Sequence, residues 1–240
     1  MNLKNVIAVN VIALAVACPS ALAGLSSPEV EMTVAVNGLT EWLAFPAGEH
    51  MGGDAWYYEG VYSHHTGWGI DYEAMIHTDP SIDLDFSFVN DTGSTQFFSV
   101  MIVLPIDPIL EQTVIGGSVS GATTDFSEDG EGGVSAPNDG AYYNAIVDGS
   151  VVRTLHDDLN VGYDFAGDTA LIPDEDFGLP GPSELGPAQA LNHIGIRIDF
   201  FLSAGDSIAS TSFFVLEPLP APGAIALLGV AGLLGGRRRR

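Results

Sequence analysis

The sequence predicts an all-β protein, an antiparallel β-sandwich of jelly-roll-like type, followed by a short hydrophobic helix at the C-terminus. Three observations lead to this expectation. From Pro28 to Glu217, apolar residues recur at alternate positions, the period of a strand with one face in a core. Turn-forming pairs separate the alternating runs. The chain carries 29 Gly and 14 Pro, and no segment before residue 220 keeps a helical period. Many short alternating strands joined by Gly-rich turns indicate two antiparallel sheets, each wet on one side, with a Greek-key barrel as the nearest rival.

The first residues read as a targeting segment. Lys4 precedes an apolar run from Val6 to Ala17 broken only by Asn10, and Ala21-Leu22-Ala23 places small residues at the last and third-last positions before a cut. This is the pattern of a secretory signal peptide over residues 1–23, removed by signal peptidase. The run is too short to span a hydrocarbon layer about 30 Å thick, which takes roughly 20 helical residues. Cys18, the only cysteine, lies at the end of the run, and Pro19 behind it argues against lipid attachment there. The chain after Ala23 then has no disulfide, so apolar burial, with or without bound ions, must hold residues 24–216 together.

Within that domain the alternation is plainest in three places. Val30, Met32, Val34 and Val36 share one face. Ile82, Leu84, Phe86 and Phe88 point inward, with Ser81, Asp83, Asp85 and Ser87 in water. Ile194, Ile196, Ile198 and Phe200 point inward, with His193, Gly195, Arg197 and Asp199 outward. Further strands are expected over 42–45, 55–62, 67–76, 96–104, 113–123, 142–155, 161–165 and 207–216, with turns at Asn37-Gly38, Asn90 to Gly93, Asp139-Gly140, Asp148-Gly149 and Gly205-Asp206. Residues 124–140 and 172–189 mix acids with Gly and Pro and are expected as loops.

Charge excludes some partners. Apart from Lys4 and Arg237 to Arg240, the chain has only Arg153 and Arg197 against 31 carboxylates, a formal charge of −29. Such a surface repels phosphate backbones, so nucleic acid is not an expected partner, and anionic lipid headgroups do not attract it. It suits saline water or divalent cations. In "DFSEDGEGG", Asp125, Glu128, Asp129 and Glu131 surround Gly130 and offer hard oxygen ligands for Ca²⁺, the one cofactor considered. The spacing is not that of an EF-hand, and a solvated acidic loop is the plainer alternative.

No catalytic motif emerges, and the expected protein is not an enzyme. Gly116 to Gly121 lacks the Gly-x-Ser-x-Gly spacing of a nucleophile elbow. His64 and His65 would point to opposite faces of a strand, and the other histidines have no metal-ligand spacing. A carboxylate pair for glycoside hydrolysis cannot be picked out of so many acids, so an exported hydrolase stays a distant alternative. Trp56, Tyr58 and Trp68, in an aromatic-rich stretch, either pack the core and edges or form a platform for carbohydrate. Asn90-Asp91-Thr92 matches a glycosylation sequon.

The tail carries the most specific signal. Glu217, Pro218, Pro220 and Pro222 make a stiff extended spacer. Gly223 to Gly236 follows, 14 uncharged residues that span roughly 21 Å if helical, ahead of Arg237, Arg238, Arg239 and Arg240. The arginines resist translocation and would stay cytoplasmic, leaving the body outside. A signal peptide at one end and a proline motif, short apolar helix and arginine cluster at the other resemble PEP-CTERM proteins. The family's usual Val-Pro-Glu-Pro stands here as Leu216-Glu217-Pro218-Leu219-Pro220-Ala221-Pro222, followed by Gly223. The resemblance covers Glu217 to Arg240 and implies an exported protein of Gram-negative bacteria, held transiently in the inner membrane by residues 217–240. An exosortase-type membrane enzyme would process it there, and the product would work at the cell surface or in extracellular matrix. It also implies an association with exopolysaccharide or biofilm.

Overall fold

The computed structural model of the protein describes residues 26–107 and 109–219. The expected signal peptide, the expected C-terminal helix with its arginine cluster, and Pro220, Pro222 and Gly223 of the sorting motif lie outside the described residues.

Alternation is converted into strands nearly everywhere it was strong. The first are β1 (Glu31–Val36), β2 (Leu39–Ala44), β3 (Glu49–Gly52), β4 (Ala55–Ser63), β5 (Trp68–His77) and β6 (Ser81–Asn90). Next come β7 (Gln96–Pro105), β8 (Leu110–Glu111), β9 (Thr113–Asp125), β10 (Gly133–Ser135), β11 (Tyr143–Val147) and β12 (Ser150–Leu155). The last are β13 (Asn160–Gly162), β14 (Thr169–Gly178), β15 (Glu184–Leu185), β16 (Gln189–Ala190), β17 (His193–Leu202) and β18 (Asp206–Pro218). No helix occurs among the described residues.

Two antiparallel sheets dominate. The first runs β12-β11-β17-β7-β1-β2, with β10 and β13 attached through β17, and the second runs β14-β9-β18-β6-β5-β4-β3, with β15 on β9. Strands far apart in sequence are neighbours, β7 with β17 and β9 with β18, so the connections cross between sheets, and the arrangement is consistent with a β-sandwich. Two hairpin turns follow from their residues. Asn37-Gly38 has φ of 51° and 82°, and Asp148-Gly149 has 49° and 77°, the paired left-handed conformation that a two-residue hairpin loop requires and that Asn, Asp and Gly adopt most readily.

The inner faces of both sheets contribute to one apolar cluster. Phe200 of β17 lies at its middle, with ring centroids 5.6 Å from Phe88 and 6.3 Å from Phe86 of the second sheet. It lies 5.8 Å from Phe98 and 6.3 Å from Tyr142 on its own side. These are the offset and edge-on geometries that aromatic pairs favour.

Several sequence expectations need correction. Asp199, expected in water, is buried on an interior strand of its sheet, where its carboxylate accepts hydrogen bonds from Ser99 Oγ at 2.6 Å, Arg197 Nε at 2.8 Å and Asn144 Nδ2 at 3.2 Å. Ser81 is buried as well. Residues 172–189 are not a plain loop: most of β14 and all of β15 fall there. β14 is the outermost strand beside β9, and its pairing breaks register between Ile172 and Glu175, around Pro173, where an edge tolerates a residue without an N–H. The segment 142–155 is the β11–β12 hairpin, and β3 had no clear alternation to announce it.

Truncating Phe200 should open a cavity that neither sheet can close. Phe200→Ala is expected to cost about 3–5 kcal/mol in urea denaturation, and a loss below about 1 kcal/mol would show that the sheets close without it.

Candidate functional site

At one end of the two sheets, the inner face turns polar. The register of β6, β18 and β9 sets Asn90 opposite Asp206 and Asp206 opposite Asp125. All three side chains lie on the core-facing parity of their strands and are at most 1% exposed. Asn90 is fully satisfied. Its Nδ2 donates to the carbonyls of Ser94, Leu202 and Ser203 at 2.8–3.1 Å, and its Oδ1 accepts from Thr92 N and Thr92 Oγ1. The sequon read at Asn90-Asp91-Thr92 is therefore closed to glycan attachment in the folded protein.

The two aspartates differ sharply. Asp125 Oδ1 accepts from Ser127 Oγ at 2.8 Å, and Oδ2 accepts from Gly130 N at 2.8 Å and Gly167 N at 3.0 Å. Burial works upward on this carboxyl, but the N–H groups of Gly167 and Gly130 and the Ser127 hydroxyl outweigh it and hold the pKa at about 2. Asp206 Oδ2 accepts from Gly133 N at 3.0 Å, whereas Oδ1 is buried with no hydrogen-bond partner. Burial, reinforced by the charges of Asp125 and Asp129, pushes the Asp206 carboxyl up to about 6, with the Tyr163 hydroxyl and Gly133 N–H pulling the other way.

The Tyr163 hydroxyl lies between two partners: it is 2.8 Å from Thr123 Oγ1, which also reaches Ser207 O at 2.9 Å, and it favours the charged form of the Asp206 carboxyl. Ser203 Oγ donates to Gly133 O at 3.3 Å.

The calcium loop expected from the sequence does not assemble. Asp125 turns into the N–H groups of its own loop and of the 164–168 turn, while Glu128, Asp129 and Glu131 are exposed. Asp129 Oδ1 accepts from Glu131 N at 2.8 Å, and among the described residues no group of three or more His, Cys, Asp or Glu is placed to hold a metal ion. Asp206 was missed because it was read as half of a Gly-Asp turn. Its parity with Ile208, Ser210 and Phe214 was the signal available.

The aromatic platform is also corrected. Trp56, Tyr58 and Trp68 are 6%, 1% and 2% exposed, because the parity of β4 and β5 turns them into the core. Trp68 stacks on Phe88 at 5.6 Å and donates from Nε1 to Glu41 Oε2 at 2.8 Å, and Tyr58 donates its hydroxyl proton to Pro28 O at 2.9 Å.

The outer face of the second sheet instead presents a trough. Register aligns Val61, Asp71, Ser87, Ala209, Ala122 and Leu171 across six strands, and the small members of this row leave a hollow of about 510 Å³ walled by Val61 and Phe126. It continues past Asp71 and Ser87 into a second hollow of about 360 Å³ lined by Glu73 and Asp85. Glu59, Glu73 and Asp85 stand opposite one another on adjacent strands. No protein-family model and no curated protein matches the chain.

Asp206 makes stability depend on pH in a definite direction. Its folded pKa of about 6 exceeds the ordinary aspartate value of 3.8, so its contribution is fully present below pH 3.8 and is lost as pH rises through about 6. In buffer free of divalent cations, Asp206→Asn should gain on the wild type over that window in urea denaturation. A difference that stays constant from pH 4 to 7.5 would show that Asp206 does not titrate as described.

Proposed function

We propose that this chain is an exported, non-enzymatic β-sandwich protein of jelly-roll-like type, which works at the cell surface or in extracellular matrix. Signal peptidase removes residues 1–23, and an exosortase-type membrane enzyme acts on the sorting signal that includes Glu217, Pro218, Pro220, Pro222, Gly223 and Arg237 to Arg240. The observation that carries the reading is the sequence of the tail, a proline-rich spacer, an uncharged stretch and four arginines in a chain otherwise almost without basic residues.

The fold supports it. β18 is paired on both sides, to β6 and β9, and Glu217 and Pro218 are exposed at its end, where Leu219 N donates to Gln112 O at 2.6 Å. A cut beyond Leu219 therefore removes no strand from either sheet. The strand runs two residues past the expected domain boundary at 216, so the start of the motif and the end of the sheet coincide.

Intact mass and fractionation of the protein from its native host test this. The expected product begins at Gly24, lacks Arg237 to Arg240 and is found outside the cytoplasm. Full-length chain free in the cytosol would overturn the reading.

The trough favours a second reading, binding of extracellular polysaccharide on the outer face of the second sheet. It differs from the reading based on Trp56, Tyr58 and Trp68, whose rings are buried. On a glycan array, binding should fall at least tenfold in Val61→Asp and Phe126→Ala, which alter exposed walls of the hollow. Binding unchanged in both variants would place the ligand elsewhere.

A further inference from the structure

We propose that the trough on the outer face of the second sheet selects a polysaccharide that carries amino groups, sugar rings strung with protonated amines. The inference rests on the reading of that trough as a polysaccharide site and names the class of sugar it takes. The two hollows form one path, since Asp71, Ser87, Ala122 and Ala209 line both. The path follows the strands: from Gly69 to Glu73 along β5 its floor advances four residues, about 14 Å, a length that suits a stretch of extended chain. It lies over β5, β6, β18 and β9, each paired on both flanks, so no free strand edge is available there for a peptide to extend.

The chemistry changes along the path. At one end, the exposed side chains of Val61 and Phe126 stand beside a floor kept low by Gly69, Ala122 and Ala209, where the C–H face of a sugar ring can pack. Ser87 and Thr211 offer hydroxyls, which donate to or accept from those of a sugar. At the other end, Asp71, Glu73 and Asp85 are exposed, with Glu59 opposite Glu73. Among the described residues the only Lys or Arg side chains are Arg153 and Arg197, which pair with Glu184 and Asp199, so neither neutralises this end. The carboxylates are ranked across strands about 4.8 Å apart rather than gathered at a point, and among the described residues no group of three or more His, Cys, Asp or Glu is placed to hold a metal ion. Amines spaced along a polymer complement such a rank, and the neighbouring apolar end supplies the contact that a bare cation lacks.

Isothermal titration of the full chain at pH 5.5 in 150 mM NaCl tests the class, because an amino sugar is then charged and exposed carboxylates are still ionised. A glucosamine hexamer should bind at least about fivefold more tightly than the N-acetylglucosamine hexamer, which has the same rings without the charge. Glu73→Gln with Asp85→Asn should remove that preference and leave the affinity for the N-acetylated hexamer within about twofold. Asp157→Asn with Asp158→Asn, an exposed pair outside the trough, should keep the preference, and Phe126→Ala should weaken both hexamers alike. Equal affinities for two hexamers that both respond to Phe126→Ala would overturn the amine preference while the trough stays a glycan site. Binding of neither hexamer would remove both readings. A loss in the Asp157 and Asp158 variant as large as that in the Glu73 and Asp85 variant would mean diffuse attraction to an acidic protein. A lysine hexamer that binds as tightly and depends on Glu73 and Asp85 would put a basic peptide in the place of the polysaccharide. Either result overturns the proposal.

Discussion

Phe200 is the contact on which the rest of the molecule depends. It is the point where β17 of the first sheet meets β6 of the second, and it touches rings from both sides. With no cysteine among residues 24–240, nothing covalent holds the sheets together. Their relative position is set by interdigitated side chains, and a one-residue slip of β17 against β7 would turn Ile194, Ile196, Ile198 and Phe200 outward together. The same register delivers Leu202 and Ser203 to Asn90, so the polar end of the body is positioned by its apolar middle.

The contrast between the middle and the end also explains what the sequence could reveal. β1, β6 and the apolar face of β17 were legible because each repeats one residue class at a strict period of two, and period alone selects a half-buried strand. Asp199 misled because its charge was taken as exposure, whereas Ser99, Asn144 and Arg197 satisfy it inside the protein. β14 misled through composition: its acids and Pro173 suit an edge strand as well as a loop, and only the partner β9 distinguishes them. Trp56, Tyr58 and Trp68 were correctly found as a cluster, but which face they occupied depended on the exact register of β4 and β5. The Asp206–Asp125 juxtaposition joins residues 81 positions apart, and no local pattern announces such a pairing.

The large negative charge is distributed unevenly between places where it is harmless and places where it is constrained. On the outer face, Glu59, Glu73 and Asp85 stand in line, but solvent and salt screen them. At the end of the sheets, the same chemistry is removed from water. Asp125 is stabilised there by N–H donors from two turns, whereas Asp206 takes one backbone N–H, from Gly133, and its Oδ1 has no hydrogen-bond partner, so the two opposed carboxylates are unequally compensated. Phe126 follows Asp125 directly in the chain, so the buried pair and the wall of the outer trough are adjacent through the backbone.

The course of β18 has a mechanical consequence. Its 13 residues are laddered to β9 along their length and to β6 over most of it, and the strand leads out of the sheet at Pro218 toward the tail. Force applied to that end acts along the strand axis, so the hydrogen bonds on both flanks are loaded side by side in shear. A strand at an edge would instead be peeled, its bonds failing one after another. An exit from the interior of a sheet thus makes the tail a strong handle for a body under tension.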